Sequence, residues 1–235
     1  MPKLLKKKKI LIIGGDSGLG NSLSLYFINQ DYHVITTSRN KKDKLRIYLN
    51  LKNKNLNLEK LKKDLGKIKF DYVLFIAAIT TTTKEVLDKN CIFGNFNYSD
   101  FSKLMEVNCF SNLKLFEFLQ KKNFLKKKAT IIFFSSLAGS ITHRGKLKHN
   151  KPFGNLFYRL SKAALNCGIK NFSYDFKNQY TIVALHPGYV KTKNGGKNAD
   201  FTVSYATKKI YRLVTKLTKK DNGNFINLFG KKLEW

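Results

Sequence analysis

Short apolar runs alternate with helical stretches along the chain, and this alternation limits the possible folds more than any other feature. Strands are predicted at 9–13, 33–37, 46–51, 71–77, 129–135, 181–185 and 223–228, and helices at 20–30, 57–65, 99–120, 157–176 and 205–217. From its second residue on, the run 71–77 is apolar, as expected for a strand covered on both faces. The pattern predicts an α/β fold with a doubly wound, mostly parallel sheet of about seven strands and helices on both faces.

A glycine-rich turn connects the first predicted strand to the first predicted helix. Gly14, Gly18 and Gly20 have the spacing Gly-x-x-x-Gly-x-Gly. Glycines there let the backbone turn tightly and approach a pyrophosphate at the helix N-terminus. Such turns also occur without a ligand, but the flanking strand and helix favour a dinucleotide site. We expect a single NAD(P)-binding domain of the Rossmann type over residues 1–235. Its turn contacts to the cofactor are expected from Gly14, Asp16, Ser17, Gly18, Leu19 and Gly20.

The end of the second predicted strand indicates which dinucleotide is preferred. Sites selective for NAD place an acidic residue there to hold the ribose 2′-hydroxyl, whereas this chain has Ser38 and Arg39, followed by Lys41 and Lys42. A cation suits a 2′-phosphate through charge-assisted hydrogen bonds. The sequence therefore predicts that NADP(H) is preferred over NAD(H). The alternative is that Arg39 is one more surface cation in a very basic protein.

Tyr158 and Lys162 form a Tyr-x-x-x-Lys pattern in a predicted helix. Residues four apart lie on one helical face, and an adjacent ammonium lowers the pKa of a phenol. Tyr158 is thus a candidate general acid for carbonyl reduction, or general base for alcohol oxidation. The same pattern also arises when a tyrosine and a lysine merely share a helix face. Ser136 follows a predicted strand, where ligands bind in open α/β sheets, and Asn108 is a polar residue within a predicted helix.

In this order, the motifs resemble the short-chain dehydrogenase/reductase superfamily over nearly the whole chain. Three stretches resemble more narrowly its C-factor/sniffer-like carbonyl reductase branch: residues 158–166, residues 186–192 with Gly195 and Gly196 after them, and the ending 230–235. The resemblance implies an oxidoreductase that moves a hydride between NADP(H) and a small carbonyl or alcohol. It also implies dimers or tetramers formed through the helices that carry Asn108 and Tyr158.

The resemblance also implies residue roles. Tyr158 is the proton donor, Lys162 lowers its pKa and holds the nicotinamide ribose, and Ser136 orients the carbonyl. Asn108 anchors a water that relays protons to Lys162, and Thr192 fixes the nicotinamide carboxamide. The remaining cofactor contacts are expected from Asn50 near the adenine and from Ala77, Ala78, Pro187, Gly188 and Val190.

One residue and one four-residue stretch depart from the family pattern. Ile13 replaces the threonine that usually precedes the first glycine, and residues 75–78 (Phe-Ile-Ala-Ala) replace Asn-Asn-Ala-Gly. The asparagine usually braces the sheet and lines the cofactor site, so its loss bears on cofactor affinity.

The formal net charge of +30 invites a nucleic-acid interpretation. Lysine supplies nearly all of it, spread along the chain, whereas dedicated phosphate readers favour arginine. We expect a solvated lysine surface and no specific nucleic-acid partner; the alternative, a charge-driven polyanion or membrane-surface binder, predicts steeply salt-dependent binding. The cationic segment His143, Arg144, Lys146, Lys148, His149 and Lys151 suggests an anionic carbonyl substrate.

The cysteines and apolar runs bear on location. Cys91, Cys109 and Cys167 are far apart, which favours reduced thiols over a disulfide or metal framework, so no metal is expected. The apolar run 72–79 is far short of a membrane span. A cytoplasmic protein is expected, with no membrane partner. The second function left open is a cofactor-binding regulatory or signalling protein of the C-factor type.

Overall fold

The sheet of the computed structural model follows the predicted alternation. The structure describes residues 7–40, 42–43, 45–52, 56–80, 94–146 and 155–235. In this part of the chain the strands are β1 (Lys9–Ile13), β2 (His33–Ser38), β3 (Ile47–Tyr48), β4 (Phe70–Phe75), β5 (Leu125–Phe134), β6 (Thr181–His186), β7 (Phe225–Asn227) and β8 (Lys232–Leu233). They form one sheet in the order β3-β2-β1-β4-β5-β6-β7-β8. All neighbours are parallel except β7 and β8, which are antiparallel.

Helices cover both faces of this sheet. They are α1 (Gly18–Asn29), α2 (Leu58–Leu65), α3 (Tyr98–Met105), a π-helix (Glu106–Phe110), α4 (Ser111–Lys121), α5 (Leu156–Asp175) and α6 (Val203–Val214), with short 3₁₀ turns at Leu137–Gly139 and Lys219–Asp221. Alternate residues of β1 enter different cores: Ile10 and Ile12 pack with α1 and α6, while Leu11 and Ile13 pack with α2, α4 and α5. The predicted α/β fold with a doubly wound, mostly parallel sheet is confirmed.

Several boundaries differ from the sequence expectation. The sheet has β8 as an eighth strand, because two residues after the turn at Gly230 pair back onto β7. The third strand is Ile47–Tyr48, shorter than the predicted 46–51. Strand β5 begins at Leu125, four residues before the predicted start, since its first residues include exposed lysines that hide the strand pattern.

The predicted helix 99–120 is three elements, not one. The Asn108 side chain accepts the Ile79 N–H (2.8 Å) and donates to the Ile79 carbonyl (2.8 Å), which ties the middle of this helix to the segment after β4. The chain widens into the π-helix at this point, and the Asn112 amide donates to the carbonyls of Val107 (3.0 Å) and Asn108 (3.1 Å). The Asn112 amide therefore satisfies backbone acceptors at the widened turn.

The unusual end of β4 is filled by an aromatic stack. Phe75 stands where the resemblance leads us to expect asparagine. Its ring lies parallel to that of Phe133 on β5, with centroids 4.4 Å apart and an interplanar angle of 7°. Both rings are buried, and Phe116 of α4 meets Phe133 edge-on. In this chain, packing between rings braces the two strands at the place where the family uses a polar side chain.

Replacing Phe75 with alanine should lower the free energy of unfolding by about 3 to 5 kcal/mol, because a buried ring is exchanged for a cavity beneath Phe133. Chemical denaturation monitored by circular dichroism measures this change. The control is Phe229→Ala, which removes a ring that is 55% exposed and should cost less than about 1 kcal/mol. Equal losses in both variants would contradict the bracing role of the stack.

Candidate active site

The glycine turn between β1 and α1 is closed so tightly that side chains do not fit in it. A Cβ placed on Gly14 would lie 2.8 Å from the Ala77 backbone nitrogen, and one on Gly20 would lie 2.0 Å from the Gly14 carbonyl oxygen. Gly14 and Gly18 also have positive φ values of 94° and 52°. The turn therefore presents bare backbone at the carboxyl end of β1, as a phosphate cradle requires.

The first turn of α1 has free donors for an anion. Ser17 is the N-cap residue, but within the described part of the chain its side chain makes no capping hydrogen bond. The first turn contains no acidic residue. The N–H groups at this helix terminus thus point into the turn, where the pyrophosphate of a dinucleotide fits.

The end of β2 lies beside this turn and carries both acidic and basic groups. The Asp16 carboxylate is 3.5 Å from the Ser38 hydroxyl and 4.0 Å from Arg39 Nε. Arg46, which sequence analysis placed in a strand, pairs with Asp43 at 2.8 Å and donates to Asn21 Oδ1 at 2.8 Å. Sequence reasoning missed the Arg46 contacts because Arg46 meets Asn21 only when the segment after β2 folds back onto α1. Lys42 is described and exposed, whereas Lys41 lies outside the described residues.

The loop after β6 closes the other side of the turn. A Cβ on Gly18 would lie 3.4 Å from Thr192 Cγ2, so Thr192 faces the start of α1. The Asn194 amide is 3.4 Å from the Ala78 carbonyl oxygen. Further along the same edge, Asn50 follows β3 and accepts the Lys52 N–H. The predicted cofactor residues Ala77, Ala78, Pro187, Gly188, Val190 and Thr192 therefore belong to loops that follow β4 and β6 at the edge that carries the glycine turn.

The loop after β6 is itself held in shape by backbone contacts. A bridge pairs Val190 with Phe201, and the Lys191 N–H donates to the Phe201 carbonyl at 2.8 Å. Gly188 has a φ of 79°, and a Cβ there would lie 2.8 Å from the Phe201 ring. These contacts fix the course of the chain from Pro187 to Thr192.

The four predicted catalytic residues also come together. The Tyr158 phenol faces the Ser136 hydroxyl, whose influence lowers the pKa of the phenol. Asn108 donates to Ser161 Oγ (3.0 Å), and Ser161 donates to the Tyr158 carbonyl (2.8 Å). Lys162 Nζ lies 6.0 Å from the centroid of the Tyr158 ring and donates to the Phe134 carbonyl at 2.8 Å. The site thus unites the ends of β4 and β5 with the π-helix and α5.

Burial controls the ionisation of both members of the Tyr-x-x-x-Lys pair. It raises the pKa of the Tyr158 phenol above its usual value, and the Ser136 hydroxyl acts in the opposite direction. Burial lowers the pKa of Lys162 to about 8, because a charged ammonium is poorly solvated there. The phenol is therefore protonated at neutral pH and has a proton to donate.

The turn that presents Ser136 is fixed by two polar side chains whose contacts sequence reasoning missed. Asn166 of α5 donates to the Gly139 carbonyl (3.3 Å) and accepts from Ser135. His186, the last residue of β6, accepts the Leu137 N–H through Nδ1 at 3.4 Å. Burial lowers the pKa of His186 to about 4, with a smaller effect from His143 in the same direction. His186 is therefore neutral at neutral pH, with Nδ1 available as an acceptor.

Comparisons with known proteins identify the family of this chain. The family model for short chain dehydrogenases matches residues 8–202, so the chain belongs to the short-chain dehydrogenase family. This confirms the family predicted from the motifs and, with it, the prediction of an oxidoreductase.

Individual relatives are distant in sequence. C-signal of Myxococcus xanthus is 26% identical over 149 residues, covering 62% of this chain and 84% of that protein. An uncharacterized oxidoreductase of Saccharomyces cerevisiae is 27% identical over 256 residues, covering 93% and 94%. The carbonyl reductase Sniffer of D. melanogaster superposes with a TM-score of 0.76 at 25% identity, covering 98% of this chain and 100% of that one. A carbonyl reductase from chicken fatty liver, solved with bound NADPH, has a TM-score of 0.81 at 23% identity over the same shares and supports the fold alone.

Three further sequence expectations concern the rest of the chain. Among the described residues, no helix has the length and apolar character needed to cross a membrane. Cys109 and Cys167 are free thiols, and Cys91 lies outside the described residues. Of the cationic segment, His143, Arg144 and Lys146 are described, whereas Lys148, His149 and Lys151 are not.

The His186 environment predicts a loss of stability in acid. Because its folded pKa of about 4 is below the ordinary 6.5, the unfolded state binds the proton more readily between these values. The stability that neutral His186 contributes is full above pH 6.5 and is lost as the pH falls toward 4, by at most about 3 kcal/mol. Urea denaturation at several pH values should show a smaller acid loss for His186→Asn than for wild type. The control, His33→Asn, removes an exposed histidine and should behave like wild type; an unchanged acid loss in His186→Asn would refute the assignment.

Proposed function

We propose that this protein is an NADP(H)-dependent reductase of small carbonyl compounds. The observation that carries the proposal is that Ser136 and Lys162 both lie beside Tyr158 at the carboxyl edge of the sheet, with Lys162 Nζ 6.0 Å from the centroid of the Tyr158 ring. The glycine turn lies at the same edge. A proton donor and a dinucleotide cradle at one edge are what carbonyl reduction requires.

Tyr158 donates the proton and Ser136 holds the substrate oxygen in this proposal. The substrate carbonyl oxygen accepts from the Tyr158 phenol and from the Ser136 hydroxyl, so the proton moves from the phenol oxygen to the substrate oxygen. The nicotinamide, when bound, supplies the hydride. Lys162 stabilises the phenolate that remains. Asn108 anchors a water that relays a proton to Lys162.

The protonated phenol is the form that the reduction step needs. A group that donates a proton must carry it at working pH, and burial raises the pKa of Tyr158 so that it does. An oxidation would start instead from the phenolate, which burial disfavours.

The preference for NADP(H) rests on Arg39 and Ser38. The Arg39 side chain is 59% exposed at the end of β2, and the Ser38 hydroxyl lies beside it. A guanidinium in this position pairs well with a 2′-phosphate. We further propose that residues 1–235 act as one domain in the cytoplasm, without a specific nucleic-acid partner. The domain assembles into dimers or tetramers through the helical segment 98–121, which carries Asn108, and through α5, which carries Tyr158.

A second candidate function is a regulatory or signalling role with little turnover. The similarity to C-signal favours it, because that relative is named for a signal and is matched over most of its length. The two candidates differ in whether Tyr158 must transfer a proton. The same variant therefore separates them.

Tyr158→Phe should reduce turnover of carbonyl substrates by about 10²- to 10⁴-fold, because it removes the donated proton and keeps the ring. The measurement is NADPH oxidation, followed by the loss of nicotinamide absorbance at about 340 nm. The substrates are a panel of neutral and carboxylated carbonyl compounds. Nicotinamide fluorescence titration should show that the variant still binds NADPH.

Tyr174→Phe on the same helix is the matched control, since its side chain is 71% exposed, and it should keep full activity. If Tyr158→Phe keeps wild-type turnover, the proposed mechanism is wrong. A carboxylated series turned over no faster than the neutral one would remove the anionic-substrate hypothesis.

A further inference from the structure

Asp16 stands inside the glycine turn, and contacts with β2 fix its position. The Gly15 N–H donates to the Thr37 carbonyl at 3.0 Å, and the Gly14 N–H donates to Thr37 Oγ1 at 3.0 Å. A Cβ on Gly15 would lie 2.6 Å from Thr36 Cβ, so the turn lies directly against the end of β2. The next residue, Asp16, therefore emerges beside Ser38, and its side chain is only 24% exposed.

The charges around Ser38 are balanced. Asp16 Oδ2 lies 3.5 Å from Ser38 Oγ and 4.0 Å from Arg39 Nε. Arg46 is held at 2.8 Å by Asp43. The guanidinium of Arg46 also donates to Asn21, so it is engaged on two sides. The contact between Arg39 and the Asp16 carboxylate is longer than the contact between Arg46 and Asp43. Arg39 can therefore exchange its carboxylate partner for another anion.

We propose, on the basis of the proposed function, that Asp16 is a specificity-determining residue whose carboxylate opposes the 2′-phosphate of NADPH and lowers the selectivity for NADPH over NADH. A 2′-phosphate at Ser38 and Arg39 must replace Asp16 as their anionic neighbour. It also meets like-charge repulsion from that carboxylate. The ribose 2′-hydroxyl of NADH instead finds in Asp16 an acceptor for its proton.

The two cofactors therefore interact favourably with opposite members of the Asp16–Arg39 pair. Arg39 favours NADPH, and Asp16 favours NADH. A protein with both residues discriminates less than one with Arg39 alone. This places the control of cofactor choice in the glycine turn as well as at the end of β2.

The test is equilibrium binding of NADPH and of NADH, followed by nicotinamide fluorescence at physiological ionic strength. Asp16→Asn keeps the shape of the side chain and removes its charge. We expect the Kd for NADPH to fall about tenfold, the scale of one charge-assisted contact, while the Kd for NADH stays or rises. Asp16→Ser should act in the same direction and serves if the first variant is unstable in thermal unfolding.

Asp64→Asn is the matched control for charge. It removes the same single negative charge but acts on α2, where Asp64 pairs with Lys60 at 2.6 Å. Because the chain carries a net charge of +30, a general attraction for anions would strengthen NADPH binding in both variants. We expect Asp64→Asn to leave the ratio of the two dissociation constants unchanged.

Arg39→Gln completes a double-mutant cycle. If Asp16 acts through Arg39, the gain in NADPH affinity from Asp16→Asn should shrink in the Arg39→Gln background. One outcome would overturn this inference and leave the proposed function intact. In that outcome the wild-type protein binds both cofactors, and the ratio of the two dissociation constants in the Asp16 variants stays within about twofold of the wild-type ratio. A wild-type protein that binds neither cofactor overturns both.

Discussion

The carbonyl of Ile13, the last residue of β1, is the acceptor on which the geometry of the site depends. It receives the N–H groups of Ile76 and Ala77, both at 3.0 Å. These bonds continue the parallel pairing of β1 with β4 beyond the end of the sheet and pull the segment after β4 against the glycine turn. Gly14 has to lack a side chain because Ala77 is brought this close. The cradle for the cofactor is thus a consequence of strand pairing.

The same segment connects the cradle to the side chains proposed as catalytic. Ile79, two residues after Ala77, holds both ends of the Asn108 amide. Asn108 in turn contacts Ser161 in the helix that carries Tyr158. A chain of hydrogen bonds therefore runs from the end of β1 to α5. Since each link is buried or partly buried, it is costly to break, and the two halves of the site are held in fixed relation.

Local patterns were enough to predict most of the fold and which residues meet at the candidate site. The apolar strands and the glycine spacing depend on neighbours in sequence, which is why β1, β4, β6 and the turn were predicted well. The π-helix was not, because it depends on Asn108 reaching Ile79, 29 residues away. The His186 contact with Leu137 spans 49 residues, and the two residues of β8 are too few to show a period. The features that could not be predicted are those that depend on contacts between residues far apart in the sequence.

The acidic residues of this basic chain differ in their surroundings and therefore in the effect of their charge. There are 15 acidic against 45 basic side chains, and several acids pair with lysines at the surface, as Glu117 does with Lys114 and Lys121. Such exposed pairs contribute little to stability. Asp16 differs, since it is half-buried in a backbone cradle that otherwise suits an anion. A carboxylate there works against phosphate binding, and the packing of the turn on Thr36 and Thr37 leaves it little freedom to move away. Its effect on the cofactor is therefore set by the backbone itself.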